Sequence, residues 1–190
     1  RVDSLSEVKK SFIGSGIRYD LMSPEYAREV ILNHVSGRLK VAPEHTEPHV
    51  LKIMRKPPFS LFERFCETFH RINREAGLNQ QIIPYFISSH PGCTMEDMAE
   101  LALKTKQLNF HLEQVQDFTP TPMTLSTVMY YTGLNPMTME PVFVARSKDD
   151  KLRQRQFFFW YQPEQQDAIR RELNRIHRSD LAQKLLSKKR

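Results

Sequence analysis

The feature that most constrains the fold is an apolar strand that breaks into a Pro-Gly turn and restarts as a helix. Ile82-Ile83-Pro84-Tyr85-Phe86-Ile87-Ser88-Ser89 has strand length, His90-Pro91-Gly92-Cys93 is a turn, and Thr94 opens the next helix. At such a junction the backbone N–H groups of the turn and of the first helical turn lack partners within the segment. The carboxyl end of the strand is therefore where an α/β protein binds its ligand. The unit recurs. Phe12 to Asp20 reads as a strand, followed by Ser23 as N-cap, Pro24 as the first helical residue and an apolar-periodic helix to about Leu32. Leu39 to Ala42 is a second strand, running into Pro43-Glu44-His45-Thr46-Glu47 and a short helix from Val50 to Met54. A longer helix, from about Ser60 to Ala76, places Phe62, Phe65, Phe69 and Ile72 on one stripe and stops at Gly77. Thr94 with Asp97 resembles a capping box for a helix from Met95 to Leu108. Gln114 to Phe118 is the fourth strand, ended by Thr119-Pro120-Thr121-Pro122.

Strands alternating with crossover helices predict an α/β protein with a parallel sheet and right-handed connections. Polar residues then gather at each carboxyl end: Arg18 and Asp20, Glu44 and His45, Ser88 and His90, Gln116 and Asp117. Four strands cannot close an eight-stranded barrel, and the helix-like stretch from Ser4 to Lys10 has no strand before it. The chain reads as the carboxyl-terminal part of a larger sheet.

Composition narrows the class. With 190 residues, 39% of them hydrophobic, the chain can build one core, or one core and a small appendage. No apolar run approaches the roughly 20 residues of a membrane helix, and the start lacks the basic-then-apolar order of a signal peptide. Cys66 and Cys93 form neither a disulfide framework nor a metal-ligand spacing, so a reducing cytoplasmic setting is expected. Cys66 reads as a small buried hydrophobe. Cys93 reads as turn filler, the alternative being a thiol made acidic by the helix N-terminus beside it.

Charge marks a boundary. Residues 1–145 carry fifteen Lys/Arg against sixteen Asp/Glu, whereas residues 146–190 carry thirteen against six. The turn-rich, Met- and Pro-bearing stretch from Tyr130 to Pro141 reads as an irregular connector, which divides the chain into an α/β part, 1–132, and a basic, mainly helical extension, 133–190. Lys148 to Tyr161 and Pro163 to Ile176 read as its helices, the first bearing Phe157-Phe158-Phe159-Trp160-Tyr161. Basic and aromatic residues together suit RNA binding. Consecutive aromatics on a helix point in different directions, however, so packing against the α/β body is the stronger expectation. Lys188-Lys189-Arg190 reads as a solvated end, and His34, His49, His70, His111 and His177 as turn or surface histidines without an assigned role.

Several runs carry a family resemblance. Leu39-Lys40-Val41-Ala42-Pro43-Glu44-His45-Thr46, continued by Val50-Leu51-Lys52-Ile53-Met54-Arg55-Lys56-Pro57, is similar to the strand-Glu-turn-helix segment of radical S-adenosylmethionine (SAM) enzymes. Ile87 to Thr94 resembles their next strand, which commonly ends in a Gly-x-Pro-Gly-Glu-Thr turn. With Ser15 to Met22, Pro84 to Ser88 and Met129-Tyr130-Tyr131-Thr132-Gly133, the match narrows to the YgiQ-type (UPF0313) group and covers essentially the whole chain. The resemblance implies the last four βα units of a partial (βα)6 TIM-like barrel with a carboxyl-terminal extension. It also implies a [4Fe-4S] cluster on a Cys-x3-Cys-x2-Cys loop, reductive cleavage of SAM to a 5′-deoxyadenosyl radical, and a substrate that these residues do not identify. That cysteine loop is absent here, so the ligands of the cluster are expected in a preceding part of the same protein, and this stretch alone is expected to be inactive. By resemblance, Glu44 is the strand-end acid facing SAM. Arg18 pairs either with the SAM carboxylate or substrate, or structurally with Asp20 or Glu44. Ser88, His90, Pro91, Gly92, Gln116 and Phe118 complete the expected SAM-facing set; His90 stands where glycine is usual, and Cys93 where glutamate is.

On chemistry alone, Glu44, His45, His90 and Asp117 offer a second enzyme reading, a metal-dependent TIM-like hydrolase, because imidazoles and carboxylates are the usual zinc ligands. The compact His-x-His and His-Glu-x-x-His spacings are missing. A basic RNA- or protein-binding module is the third reading.

Overall fold

The computed structural model describes residues 2–187. β1 (Arg38–Glu44), β2 (Gln81–Ser88) and β3 (Gln114–Asp117) form a parallel sheet in the order β1-β2-β3, with Leu39 opposite Ile82 and Phe86 opposite Val115. Parallel neighbours need long crossovers. α2 (Pro48–Met54) and α3 (Phe59–Glu75) supply the first, and α4 (Met95–Gln107) the second. Both pairings are parallel, so all three strands deliver their carboxyl ends to one edge.

The expected first strand, Phe12 to Asp20, is corrected. Only Ile17 pairs, through a single parallel bridge to Val41, and the chain then tightens into a 3-10 turn at Tyr19–Leu21. Gly14 and Gly16 directly precede the bridge; glycine gives a strand no side chain to pack and the largest entropy loss on ordering. The sheet therefore has three strands and a bridge where four strands were expected. Ser4 to Lys10 forms turns and bends, not a helix.

The helices follow from local chemistry. Ser23 accepts from the Tyr26 N–H at 3.2 Å to start α1 (Pro24–Asn33), with Pro24 in its first turn. Thr94 and Asp97 exchange the two bonds of a capping box at 2.7 and 3.3 Å to start α4. α3 buries Phe62, Phe65, Phe69 and Ile72 as one stripe, and Tyr19, Phe59, Phe86 and Phe110 gather around it with ring centroids 5.3–6.4 Å apart. Two helices were not expected. α5 (Leu125–Thr132) is capped by Thr124 and ended by left-handed Gly133, so Tyr130 to Thr132 are its last turn and not the start of a connector. α8 (Ser179–Leu186) follows α7 (Pro163–Arg175). The helix expected from Lys148 to Tyr161 is α6 (Lys148–Arg155) continued by a 3-10 turn over Gln156–Phe159.

One core runs through both parts of the sequence. Leu39, Val41 and Phe86 from the sheet and Met98 and Leu101 from α4 belong to the same buried cluster as Phe157, Phe158, Leu173 and Leu185. α6, the 3-10 turn, α7 and α8 all pack on α4. Trp160 Nε1 donates to Thr105 Oγ1 at 3.2 Å, and Tyr161 stacks on His111 with centroids 4.5 Å apart. The aromatic run is thus divided among separate packing partners. Lys188-Lys189-Arg190 lies outside the described residues, among which no helix is long and apolar enough to cross a membrane.

Because Phe158 is fully buried in that shared core, Phe158→Ala is expected to destabilise the chain by about 3–5 kcal/mol. In urea unfolding, Trp160 fluorescence and backbone circular dichroism should move to a lower midpoint together. A shift in the fluorescence alone would mean that the extension unfolds by itself.

Candidate functional site

The polar strand ends form a continuous rim. At the end of β1 the register slips between Val41 and Glu44, and Glu44 adopts a left-handed backbone with φ of 68°. A non-glycine residue held there stores strain, a state that clusters at functional sites. Glu44 is 8% exposed. Its Oε1 accepts from Lys56 Nζ at 2.9 Å, while its Oε2 is buried and has no protein partner. An unsatisfied buried acceptor costs about 1–3 kcal/mol. At the end of β2, Ser89 repeats the pattern: φ is 61°, the residue is fully buried, and Oγ lacks a partner. Two adjacent strands thus end in a strained residue with an orphaned side-chain oxygen.

The rest of the rim is satisfied. Ser88 donates its hydroxyl to Asp117 Oδ1 at 2.6 Å, and Arg155 Nη1 reaches Asp117 Oδ2 at 3.3 Å. His90 lies within 2.8 Å of the Pro91 carbonyl through Nδ1 and of Ser126 Oγ through Nε2. A carbonyl only accepts, so Nδ1 carries the proton and Nε2 accepts from the serine. Phe118 meets the ring edge-on at 5.0 Å, and its N–H returns to the Ser88 carbonyl at 2.8 Å. Burial pushes the His90 imidazole down to about 4. Gln116 Oε1 accepts from the Tyr85 hydroxyl. Gly92, with φ of 88°, donates its N–H to the Phe143 carbonyl at 2.8 Å; a Cβ there would lie 2.5 Å from Ile53 Cδ1. Only glycine fits that turn. Ser88, His90, Pro91, Gly92, Gln116 and Phe118 are therefore gathered at the ends of β2 and β3, and Glu44 at the end of β1. Arg18 is exposed and forms a two-bond pair with Asp20 at 2.8 and 2.7 Å, the structural alternative of its two expected roles.

The residue missed by sequence reasoning is Gln154. It is fully buried on α6, yet it serves the β2–α4 turn: Oε1 accepts from the Ser89 N–H at 2.7 Å and lies 3.4 Å from Cys93 Sγ, and Nε2 donates to the Cys93 carbonyl at 2.6 Å. A signal was present. Gln154, Phe157 and Phe158 share the three- and four-residue spacing of one helix face, which marks the glutamine as a polar group at a core position. Ser89 was passed over for Ser88 because the left-handed turn that redirects it leaves no mark in composition.

The four proposed zinc ligands do not converge. Glu44 pairs with Lys56, His45 Nδ1 accepts from the Glu47 N–H at 3.1 Å, His90 is engaged at both nitrogens, and Asp117 is held by Ser88 and Arg155. Among the described residues no three His, Cys, Asp or Glu side chains are grouped to hold a metal. His45 is fully buried with Nε2 3.4 Å from Cys93 Sγ; burial, with smaller effects from His49 and His90, pushes it down to about 3. Burial raises both thiols, Cys66 to about 12 and Cys93 well above its ordinary value, which overrides any acidifying effect of the helix N-terminus.

Replacing Gln154 with Leu keeps the bulk and removes both bonds to the turn. Hydrogen exchange at the Ser89 amide should then accelerate, with a stability loss of about 1–3 kcal/mol; unchanged exchange would show that another group holds the turn. A pH dependence also follows. His45 and His90 are neutral in the fold and have folded values below the unfolded one of about 6.5. Their contribution is complete above that value and falls as the unfolded chain gains protons, by roughly 1.4 kcal/mol per pH unit for each histidine, until their folded values are reached. His90→Gln should flatten the dependence of the urea midpoint between pH 6.5 and pH 4.

Comparison with known proteins adds the lineage. A family model described as a domain of unknown function (DUF3362) matches residues 113–184, from the start of β3 into α8. UPF0313 proteins of Bacteroides thetaiotaomicron and Porphyromonas gingivalis are 61% and 58% identical over 99% of this chain, and one of Clostridium perfringens is 46% identical over 95%. The chain spans about a third of their length, 32%, 32% and 28% respectively. Identities of 46–61% over 95–99% of its length make the chain a member of the UPF0313 family.

Proposed function

We propose that this chain is the SAM-facing part of a radical SAM enzyme, with β1–β3 and the Ile17 bridge as the last units of a partial (βα) barrel. The observation that carries this reading is the orphaned Glu44 Oε2. A buried carboxylate oxygen at the carboxyl end of a parallel strand, already neutralised on one side by Lys56, is an acceptor without a donor. The SAM ammonium or ribose hydroxyls supply such donors. The residues fit that ligand in two further ways. A neutral His90 puts no positive charge on the rim beside a sulfonium cation, and Gly92 brings backbone close without a side chain in the way.

When bound, SAM and a [4Fe-4S] cluster supply reductive cleavage of a carbon–sulfur bond and hydrogen abstraction from a substrate. This chain holds no cluster loop: its two cysteines are separate, buried and protonated. In this reading other parts of the same protein hold the iron. The chain's own work is to orient SAM through Glu44 and the Ser89 hydroxyl, to line it with Ile87, Pro91 and Phe118, and to exclude water.

In the full-length protein reconstituted without oxygen, Glu44→Ala should weaken SAM binding at least about tenfold, since hydrogen bonds to charged groups are worth about 1.5–3 kcal/mol. Lys56 is exposed enough to be resolvated in that variant. Release of 5′-deoxyadenosine should fall in parallel. Unaltered SAM affinity would overturn the assignment.

A further inference from the structure

The two faces of the sheet differ in kind. Side chains alternate along a strand, and the register sets Leu39 beside Ile82 and Phe86 beside Val115 on the face that packs into the core. The opposite face carries Lys40 beside Ile83, Tyr85 beside Gln114, and Ile87 beside Gln116. Lys40, Gln114 and Gln116 are exposed there, and Tyr85 and Ile87 are half-buried. Parallel sheets are ordinarily apolar and covered on both faces. This one keeps polar residues open on its second face.

Two donors on the open face are idle. Among the described residues the Lys40 ammonium has no ion-pair or hydrogen-bond partner, and the acids at either end of the row are engaged, Glu113 by Arg38 and Glu44 by Lys56. The Tyr85 hydroxyl donates to Gln116 Oε1, which fixes the amide and leaves its nitrogen as the group with protons to give. The face also reaches the rim. Ile87 and Gln116 stand one residue before Ser88 and Asp117, and burial, followed by the charge of the Glu44 carboxylate, pushes the Tyr85 phenol up. With β1–β3 as the last units of a barrel, this face is the barrel's interior. Barrels with a solid interior fill it with bulky branched residues, and a charge enclosed there without a partner is costly. A lysine, two glutamines and a tyrosine hydroxyl suit instead the wall of a polar ligand cavity, and an unpaired ammonium with an idle amide donor complements a ligand that carries negative charge and acceptors.

We infer that this face is the substrate wall of the enzyme, and that the substrate is a small organic anion whose charged group lies at Lys40 while an acceptor near its reacting end meets the Gln116 amide. The inference rests on the reading of the rim as the SAM site. Lys40 is level with Ile83, four residues before Ile87, so its backbone lies roughly 13 Å along the strands from the rim. An anion held at Lys40 therefore extends its body past Tyr85 toward Ile87 and Gln116, the end of the row that SAM at Glu44 would face.

The test uses the full-length protein, handled without oxygen, and two probes with the same body, phenylpropionate, which is anionic, and phenylpropionamide, which is uncharged. Acetylation of Lys40 by N-hydroxysuccinimidyl acetate, followed by peptide mass spectrometry, should proceed in the free protein and slow under phenylpropionate but not under the same concentration of the amide. Lys40→Met keeps the stem and removes the charge. In calorimetric titration it should weaken phenylpropionate about tenfold or more, the worth of one hydrogen bond to a charged group, and leave the amide and SAM unchanged. A Lys40 that resists acetylation in the free protein is covered or paired by another part of the polypeptide, which overturns the site. So does an anion affinity equal in variant and wild type, or no binding of the anion at all; normal SAM binding in the same samples then leaves the SAM reading standing. An anion preference that depends on Lys40, in protein that binds no SAM, leaves an anion site and removes its claim to be the substrate's. Should Lys40→Met lose SAM and both probes together, the sheet itself was disturbed, and protection of Lys40 in the unaltered protein decides: protection by the anion alone supports the site, and equal rates with both probes overturn it.

Discussion

A parallel sheet has to satisfy the polar groups at the carboxyl ends of its strands without help from a following hairpin, and in this chain that requirement organises everything past β3. Gln154 bonds the Ser89 N–H and the Cys93 carbonyl, Phe143 takes the Gly92 N–H, and Arg155 holds the Asp117 that in turn holds Ser88. Each donor or acceptor lies 29 to 65 residues away from its partner. Buried polar groups are nearly always paired, so the extension is the polar complement of the rim as much as a contributor to the core. Against that background Glu44 Oε2 and Ser89 Oγ stand out, because the chain that satisfies their neighbours leaves them unmatched.

Charged groups also cross between the two parts. Two arginines beyond residue 145 reach acidic groups of the α/β part: Arg178 contacts Glu96 and Glu100 on α4, and Arg155 contacts Asp117. In the other direction, Lys106 of α4 donates to the Leu185 carbonyl at 2.8 Å, at the end of α8. Exposed pairs of this kind contribute little energy individually, about 0–1 kcal/mol. Placed around a buried seam of Phe157, Phe158, Leu173 and Leu185, they fix the orientation in which the apolar faces meet.

What the sequence disclosed and what it hid divide by range. N-caps, Pro at the first helical turn and the phenylalanine stripe act within one or two turns, so α1, α3 and α4 were legible to within a residue or two. β2 was legible because it is buried almost throughout and reads as an apolar run, and β1 because buried Leu39 and Val41 alternate with exposed Arg38 and Lys40. Ile17 was over-read: the apolar residues around it are strand-like, but a strand exists only through its neighbour, and one bridge is all that forms. α5 was under-read because its Thr-rich start, Thr124 and Thr127, looks like loop until the Thr124 cap is seen to bond the Thr127 N–H. The polar rim was placed on the correct edge by alternation alone. Its inner detail was not, since the difference between a Ser88 engaged by Asp117 and a Ser89 with an idle hydroxyl depends on backbone angles that only tertiary contacts impose.

α2 is where these strands of argument meet. It is seven residues long, too short to be stable by itself, and it is held by Val50 and Leu51 in the core and by the chain reversal at Arg55. Ile53 fills the space that the absent side chain of Gly92 leaves, so the helix and the β2–α4 turn cannot move independently. Lys56, just past its end, fixes Glu44 at the end of β1. One short helix thus ties the strand end that carries Glu44 to the turn that carries Gly92.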